Sequence, residues 1–221
     1  MKINKYIDHT LLKTTATKQD IIDLCNEAKR HHFAAVCVNG SYVELAKEHL
    51  KDSLVKVVAV VGFPLGMTST KTKVFEASQC IKKGADEIDM VINIGRLKSN
   101  DLKYVEHEIF LIKKELVDKK LKVILETCYL TSEEIITACE LAVSGNADFV
   151  KTSTGFGPKG ATFKDVKLML DSVEGHTQVK ASGGIKDLET ALKYIQLGVT
   201  RLGTSSGVSL VTSGTGSKNN Y

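Results

Sequence analysis

The chain contains eight short apolar runs, and stretches with the periodicity of amphipathic helices lie between them. The runs span residues 6–12, 34–38, 55–61, 87–93, 122–126, 149–152, 178–181 and 200–203. Most are rich in β-branched residues, which is typical of parallel strands that are covered on both faces. Eight strands that alternate with helices favour a closed barrel over an open sheet. The sequence therefore predicts an α/β fold, a (β/α)8 TIM barrel.

Local signals agree with this arrangement. Thr17, Thr131 and Thr162 each precede an acidic residue by three positions, the pattern of a hydroxyl N-cap with a carboxylate in the first helical turn. Both prolines, Pro64 and Pro158, closely follow strand-like runs, where a residue without an N–H belongs in a connecting loop. Since all strands of a parallel barrel end on one face, polar residues at their ends are expected to converge there.

The length suits one barrel domain, because the chain has 221 residues and no low-complexity linker divides it. Hydrophobic residues make up 43% of the sequence, enough for a substantial core. We predict a single catalytic domain over residues 1–221, with a flexible tail that begins at about residue 212.

Charge and targeting patterns narrow the class of protein. The formal net charge of +4 comes from 30 basic and 26 acidic residues that are scattered along the chain, so no nucleic-acid partner is expected. The N-terminus lacks the apolar stretch of a signal peptide, and no apolar run reaches the length of a membrane span. The five cysteines show no paired spacing, which indicates neither disulfides nor a zinc site. We therefore predict a cytoplasmic protein with no membrane partner.

Two lysines lie inside apolar strand-like runs. Lys151 and Lys180 are about one strand–helix repeat apart, so neighbouring strands are expected to carry them. A buried lysine is costly unless it is paired or neutral, and two adjacent ammonium groups lower the pKa of at least one of them. A neutral lysine is a nucleophile towards carbonyl groups. The alternative is that each lysine points outward and extends past a helix into solvent.

A carboxylate lies inside another run, since Asp89 is embedded in an apolar strand that has Asn93 near its end. Such a carboxylate is rarely structural unless it has a cationic partner, and the lysines across the barrel would supply one. Asp89 is therefore a candidate for moving protons through water. The alternative is a buried ion pair with no catalytic role.

The seventh and eighth runs end in loops of small residues. TIM barrels often bind phosphate in these loops through backbone N–H groups. Gly155, just after Lys151, would extend such a site. The candidate phosphate ligands are Gly155, Gly183, Gly184, Gly203, Thr204, Ser205 and Ser206.

No metal site is predicted. The six histidines form no H-x-H or H-E-x-x-H arrangement, so the ligand cluster of a metal-dependent aldolase is missing from the sequence. We expect neither a metal nor an organic cofactor.

Several segments in order resemble the deoxyribose-phosphate aldolases of the shorter bacterial type. They cover nearly the whole chain, and they span residues 6–12, 36–39, 60–66, 85–93, 150–156 and 179–184. This resemblance implies a TIM-barrel lyase that cleaves 2-deoxy-D-ribose 5-phosphate reversibly to D-glyceraldehyde 3-phosphate and acetaldehyde. It also implies a homodimer or homotetramer.

The resemblance assigns roles by position. Lys151 matches the Schiff-base lysine, while Asp89 and Lys180 match residues that handle protons and tune the nucleophile. The matched loops around Gly155, Gly183–Gly184 and residues 203–206 hold the phosphate, and Thr152 adjoins them. Asp8, Thr10, Cys37 and Asn39 fall in matched segments of the substrate pocket. Tyr221 would correspond to a C-terminal tyrosine that reprotonates the enamine.

Two departures and two alternatives accompany this assignment. Gly40 replaces a usual proline, which is expected to loosen the exit from the second strand, and Lys159 replaces the first glycine of a usual pair. The alternatives are another Schiff-base phosphosugar lyase and a phosphosugar-binding barrel that has lost activity. Replacement of Lys180 by leucine is expected to cost turnover while the chain still folds.

Overall fold

The structure is a computed structural model, which describes residues 2–212. Its strands are β1 (Ile7–Leu11), β2 (Ala35–Val38), β3 (Lys56–Val61), β4 (Glu87–Val91), β5 (Lys120–Ile124), β6 (Phe149–Lys151), β7 (Gln178–Ser182) and β8 (Arg201–Thr204). Its helices are α1 (Lys18–His31), α2 (Val43–Leu50), α3 (Thr70–Lys82), α4 (Ile94–Lys98), α5 (Leu102–Leu116), α6 (Ser132–Ser144), α7 (Phe163–Val173), α8 (Leu188–Leu197) and α9 (Gly207–Thr212).

The strands close into one parallel barrel in chain order, with β8 paired to β1. The predicted TIM barrel is therefore confirmed. Strand boundaries differ from the predicted runs by up to two residues: β5 begins at Lys120 rather than Lys122, and β4 ends at Val91 rather than at residue 93. Asn93 instead caps α4, where its side chain accepts a hydrogen bond from the N–H of Arg96.

The predicted helix caps are present. Thr17 and Thr131 both form capping boxes, each with the acidic residue three positions later. The hydroxyl of Thr162 accepts from the N–H of Asp165. These bonds satisfy N–H groups that would otherwise have no partner in the first turn, so they fix where each helix begins relative to the preceding strand.

The core has two parts of different character. A large apolar layer packs between the outer face of the barrel and the helices. The apolar cluster inside the barrel is small and lies towards β2 and β3; it comprises Leu12, Ala35, Cys37, Val58 and Val60. Branched apolar side chains usually fill the interior of a TIM barrel. Here much of the interior is occupied by buried charged residues. Because buried charges are costly, this indicates a functional site inside the barrel.

A buried ion pair outside the barrel holds the end of β4. The ammonium of Lys73 on α3 donates to the carbonyl of Val91 at 2.7 Å and to Oε2 of Glu108 at 2.8 Å. Both side chains are fully buried. Burial raises the pKa of Glu108 and lowers that of Lys73, although their mutual attraction opposes both shifts.

Truncation of one partner should be costly. Glu108→Ala would leave the ammonium of Lys73 buried without its carboxylate, and we expect the free energy of unfolding to fall by about 3–5 kcal/mol. Urea unfolding measures this loss. The apolar double variant Lys73→Met/Glu108→Leu should recover most of it, whereas Lys167→Ala, in an exposed pair with Asp171, should change stability little. An unchanged Glu108→Ala midpoint would contradict this account.

No helix in residues 2–212 has the length and apolar character that crossing a membrane requires.

Candidate active site

Three lysines of the barrel interior surround one carboxylate. Oδ2 of Asp89 accepts from Nζ of Lys151 and from Nζ of Lys180, both at 2.8 Å. Oδ1 of Asp89 accepts from Nζ of Lys122, also at 2.8 Å. Lys151 is 3% exposed and Lys180 is fully buried, so the outward-pointing alternative for these lysines is excluded. The Cα atoms of Lys151 and Lys180 are register partners on β6 and β7.

A second set of contacts extends this group across the barrel. Lys180 donates to Oδ2 of Asp8 at 2.5 Å, and Nε of Arg201 donates to Oδ1 of the same carboxylate at 2.8 Å. Glu87 lies 2.6 Å from Nζ of Lys122 and 2.8 Å from Nη2 of Arg201. The complete set, called here the interior charge cluster, comprises Asp8, Glu87, Asp89, Lys122, Lys151, Lys180 and Arg201.

The two candidate lysines have opposite pKa shifts. Burial lowers the pKa of Lys151; Asp89 partly offsets this, and the charge of Lys180 lowers it further. Burial acts on Lys180 in the same direction, but the carboxylates of Asp8 and Asp89 outweigh it and raise the pKa of Lys180. Lys151 is therefore the lysine that loses its proton more readily, and Lys180 stays an ammonium beside it.

The carboxylates of Asp8 and Asp89 are ionised. Burial alone would raise the pKa of Asp89, but the three lysines around it, Lys122 first, hold that pKa well below its usual range. Burial likewise opposes ionisation of Asp8, and Arg201 and then Lys180 lower its pKa more strongly. An ionised Asp89 can accept a proton, directly or through water, next to the amine that a carbonyl would meet.

Several predicted phosphate ligands line one cavity. It has a volume of about 280 Å³ at the ends of β6, β7 and β8. Its lining includes Gly155, Gly183, Gly184, Thr204, Ser205 and Ser206, together with the lysines Lys159 and Lys186. Small residues allow a phosphate group to approach the backbone N–H groups closely, and nearby cations attract its negative charge.

A loop joins this cavity to Lys151. Glu126, at the end of β5, is buried, and its carboxylate accepts from the N–H of Thr154 at 3.2 Å and from the hydroxyl of the same residue. The Thr154 hydroxyl in turn accepts from the N–H of Phe156 at 3.0 Å. These bonds fix the backbone between the candidate nucleophile and Gly155. Burial raises the pKa of Glu126.

A profile of the DeoC/LacD family aldolases matches residues 2–210. The deoxyribose-phosphate aldolase of Thermococcus gammatolerans is 58% identical over 215 residues, which cover 96% of both chains. The chain is a DeoC/LacD family aldolase. The deoxyribose-phosphate aldolase of Streptococcus uberis is 54% identical over 211 residues, again with 96% of both chains covered. The tetrameric deoxyribose phosphate aldolase of Aeropyrum pernix superposes with a TM-score of 0.86 at 29% identity, covering 96% of this chain and 91% of that one. The predicted family and lyase class are thus confirmed.

The other predicted pocket residues of this aldolase lie at three places. Asp8 belongs to the interior charge cluster. Cys37 is buried beside Asp89, Lys180 and Lys151, and burial raises the pKa of its thiol to about 11. The hydroxyl of Thr10 donates to the carbonyl of Asp8, and Thr10 lines a separate cavity of about 450 Å³. Asn39 lines a third cavity, of about 740 Å³.

Two residues predicted to contact phosphate or substrate also have structural contacts within the barrel. The hydroxyl of Thr152 donates to the carbonyl of Ser182 and accepts from the N–H of Ser182, so it bridges β6 and β7. Gly203 lies inside β8, and a Cβ there would approach Cε of Lys180 to 3.1 Å. The absence of a side chain at Gly203 thus leaves room for Lys180. Tyr221 lies outside the described residues.

The two departures from the family pattern have distinct surroundings. After β2 the chain turns through a 3-10 segment at Gly40–Tyr42, and the Tyr42 hydroxyl donates to the carbonyl of Ala16 at 2.6 Å. In the β6–α7 loop, Lys159 is exposed, whereas a Cβ on Gly160 would come within 2.2 Å of the carbonyl oxygen of Gly183. The second glycine of that pair is therefore required sterically, and the first is free to vary.

The sequence prediction missed Glu87, Lys122 and Arg201. The sequence holds a signal for Glu87, because Glu87 and Asp89 are two positions apart and so face the same side of β4. Lys122 is the register partner of Asp89, and Arg201 that of Lys180. Within residues 2–212, no three His, Cys, Asp or Glu side chains are grouped so that they could hold a metal ion.

Proposed function

We propose that the enzyme cleaves 2-deoxy-D-ribose 5-phosphate to D-glyceraldehyde 3-phosphate and acetaldehyde, in a reversible aldol reaction through a Schiff base on Lys151. The observation that carries this proposal is the placement of Lys151, a buried amine with a lowered pKa between Asp89 and a charged Lys180. The names of the relatives supply the substrate, since those from Thermococcus gammatolerans and Streptococcus uberis are deoxyribose-phosphate aldolases.

The reaction begins when the neutral amine of Lys151 adds to the open-chain C1 aldehyde. The resulting carbinolamine takes up a proton and loses water to give an iminium, and the final hydrolysis returns that proton. Asp89, within reach of the same amine, accepts the proton of the C3 hydroxyl, with Lys180 holding the carboxylate in place. The C2–C3 electron pair moves into the iminium, which yields an enamine and releases glyceraldehyde 3-phosphate. Protonation of the enamine at C2 and addition of water release acetaldehyde and restore Lys151.

The phosphate of the substrate is assigned to the cavity lined by Gly155, Gly184 and Ser206. This cavity adjoins the loop that Glu126 fixes to Lys151 through Thr154, so a ligand held there is oriented relative to the amine. Binding energy from a group remote from the reacting carbons can thereby position the aldehyde.

Borohydride trapping tests the mechanism. The enzyme is incubated with acetaldehyde or with substrate, reduced, digested and analysed by peptide mass spectrometry. We expect one reduced adduct, on Lys151. Phosphosugar binding without any adduct would support the non-catalytic alternative, and a panel of phosphorylated aldehyde acceptors would reveal a different lyase specificity.

Lys159 offers a test of the phosphate site. Among residues 2–212 no carboxylate forms an ion pair with this exposed lysine, and it lines the cavity. We expect Lys159→Ala to raise KM for 2-deoxy-D-ribose 5-phosphate about three- to tenfold at low salt, because an exposed cation contributes modestly and is screened. KM for unphosphorylated 2-deoxy-D-ribose should stay unchanged.

Lys164→Ala, which removes an exposed lysine that does not line the cavity, is the matched control. An equal change of KM for the phosphorylated and the unphosphorylated sugar in Lys159→Ala would argue against a phosphate contact.

Assembly and location follow as further proposals. The tetrameric relative from Aeropyrum pernix supports a homodimer or homotetramer, which light scattering coupled to gel filtration would test. Location in the cytoplasm remains a prediction from the sequence.

A further inference from the structure

The interior charge cluster extends from the reacting amine of Lys151 to residues that do not contact it. From Lys151 the ion pairs run through Asp89 to Lys122, and from Lys122 to Glu87 at 2.6 Å. Glu87 also lies 3.6 Å from Lys56, whose side chain is half-exposed at the start of β3. Glu87 and Lys122 are fully buried, and neither bonds to Lys151. Neither residue takes part in a step of the proposed reaction.

The charges of the cluster do not balance when every member is ionised. Three carboxylates, from Asp8, Glu87 and Asp89, face four buried cations, from Lys122, Lys151, Lys180 and Arg201. An uncompensated charge in a poorly solvated interior is expensive, so the cluster is most stable after it loses one proton. Lys56 adds little to this balance because water solvates half of its side chain.

The contacts decide which cation gives up the proton. Lys122, Lys180 and Arg201 each contact at least two carboxylates. Among the described residues, Lys151 forms an ion pair with Asp89 alone. Since each carboxylate contact favours the charged form, Lys151 is the cation that the cluster holds least firmly.

We propose that Glu87 and Lys122 set the proton occupancy of Lys151 through the charge balance of the cluster. They act as positioning residues with an electrostatic role and touch no substrate. This inference rests on the proposed Schiff-base function. It predicts that removal of either charge moves the titration of Lys151, and that the two removals move it in opposite directions.

Few charged or titratable groups face Lys151 and Lys122. Lys151 is faced by Asp89 from β4, Lys180 from β7, Cys37 from β2 and Glu126 from the end of β5. Lys122 is faced by Glu87 and Asp89, by Asp8 at 3.9 Å and by the ring of Phe149. Changes at Glu87 and Lys122 leave the groups that face Lys151 directly in place.

The test is the acid limb of the kcat/KM profile, which reports the free-enzyme pKa of the essential amine. Glu87→Gln removes a negative charge, so the ammonium of Lys151 becomes less favourable and the limb should move to lower pH. Lys122→Met removes a positive charge and should move the limb to higher pH. The shift for Glu87→Gln should be about one pH unit, the size expected for unit charges roughly 10 Å apart at an effective dielectric constant of about 20. The shift for Lys122→Met should be at least as large, because Lys122 and Lys151 contact the same carboxylate of Asp89.

The double variant Glu87→Gln/Lys122→Met restores the wild-type excess of one cation over carboxylates, and its acid limb should return towards the wild-type position. Residues with a purely structural role would lower activity in all three variants without opposite shifts, and that result would overturn the inference. Glu87→Gln keeps the shape of the side chain, so it decides the question alone if Lys122→Met does not fold.

Borohydride trapping in each variant separates this inference from the proposed function. Wild-type enzyme that gives no adduct on Lys151 would remove both. An adduct on Lys151 together with unshifted acid limbs would leave the Schiff base intact and reject the role of Glu87 and Lys122.

Discussion

Lys151→Ala is expected to give no borohydride-trapped adduct and to reduce kcat by at least about 10⁴-fold, the scale on which removal of a covalent nucleophile usually acts. Of the three lysines in the cluster, only Lys151 forms an ion pair with a single carboxylate, whereas Lys180 contacts two and Lys122 three. Mass spectrometry of the reduced protein and an acetaldehyde-release assay measure the two effects.

Replacement of Lys151 is also expected to leave the stability of the protein unreduced. Without Lys151 the remaining cluster has equal numbers of carboxylates and cations, and Asp89 keeps Lys122 and Lys180 as partners. Lys151→Met, which leaves less empty volume than alanine, should therefore unfold at a temperature no lower than the wild type while it is inactive. A reduced adduct in Lys151→Ala, on any lysine, would contradict the assignment of the nucleophile.

The sequence was sufficient for the barrel because its signals are local and repeated. An apolar strand-like run followed by an amphipathic helical stretch recurs along the chain, and the Thr17 and Thr131 caps fall where the pattern places them. Lys151 and Asp89 stood out because a charge within an apolar run is rare. These features need no knowledge of which strands are neighbours.

The lower half of the cluster depended on information that the sequence does not display. Lys122 is preceded by Lys120 and Leu121, so it resembles the polar start of a strand, and only the register that pairs it with Asp89 places it in the interior. The surroundings of Gly203 were likewise not visible in the sequence, which placed it in a loop, whereas the structure places it inside β8 and beside Lys180.

The direction of the Lys180 shift was also beyond the sequence. Two neighbouring lysines imply that at least one pKa falls, but not which. The carboxylate of Asp8 decides it, since it contacts Lys180 at 2.5 Å and lies on β1, at the other end of the chain. A contact between residues so far apart follows only from closure of the barrel between β8 and β1.

Lys180→Leu is the second variant with a large expected effect. Turnover should fall by about 10²–10⁴-fold, because Asp89 loses the ammonium that holds it and Lys151 loses the neighbour that lowers its pKa. The surviving activity should require higher pH. The sequence predicts that this variant still folds. The structure adds an expected loss of stability of about 3–5 kcal/mol, because removal of Lys180 leaves Asp8 and Asp89 short of a buried partner.

Lys180→Arg separates the two consequences. It keeps a cation between Asp8 and Asp89, so most of the stability lost in Lys180→Leu should return, while the larger guanidinium disturbs the geometry around Lys151 and activity recovers only in part. Thermal unfolding and kcat/KM–pH profiles of both variants measure these effects. Wild-type turnover in Lys180→Leu would remove Lys180 from the mechanism, and wild-type stability would show that the carboxylates of Asp8 and Asp89 find enough compensation in Arg201 and Lys122.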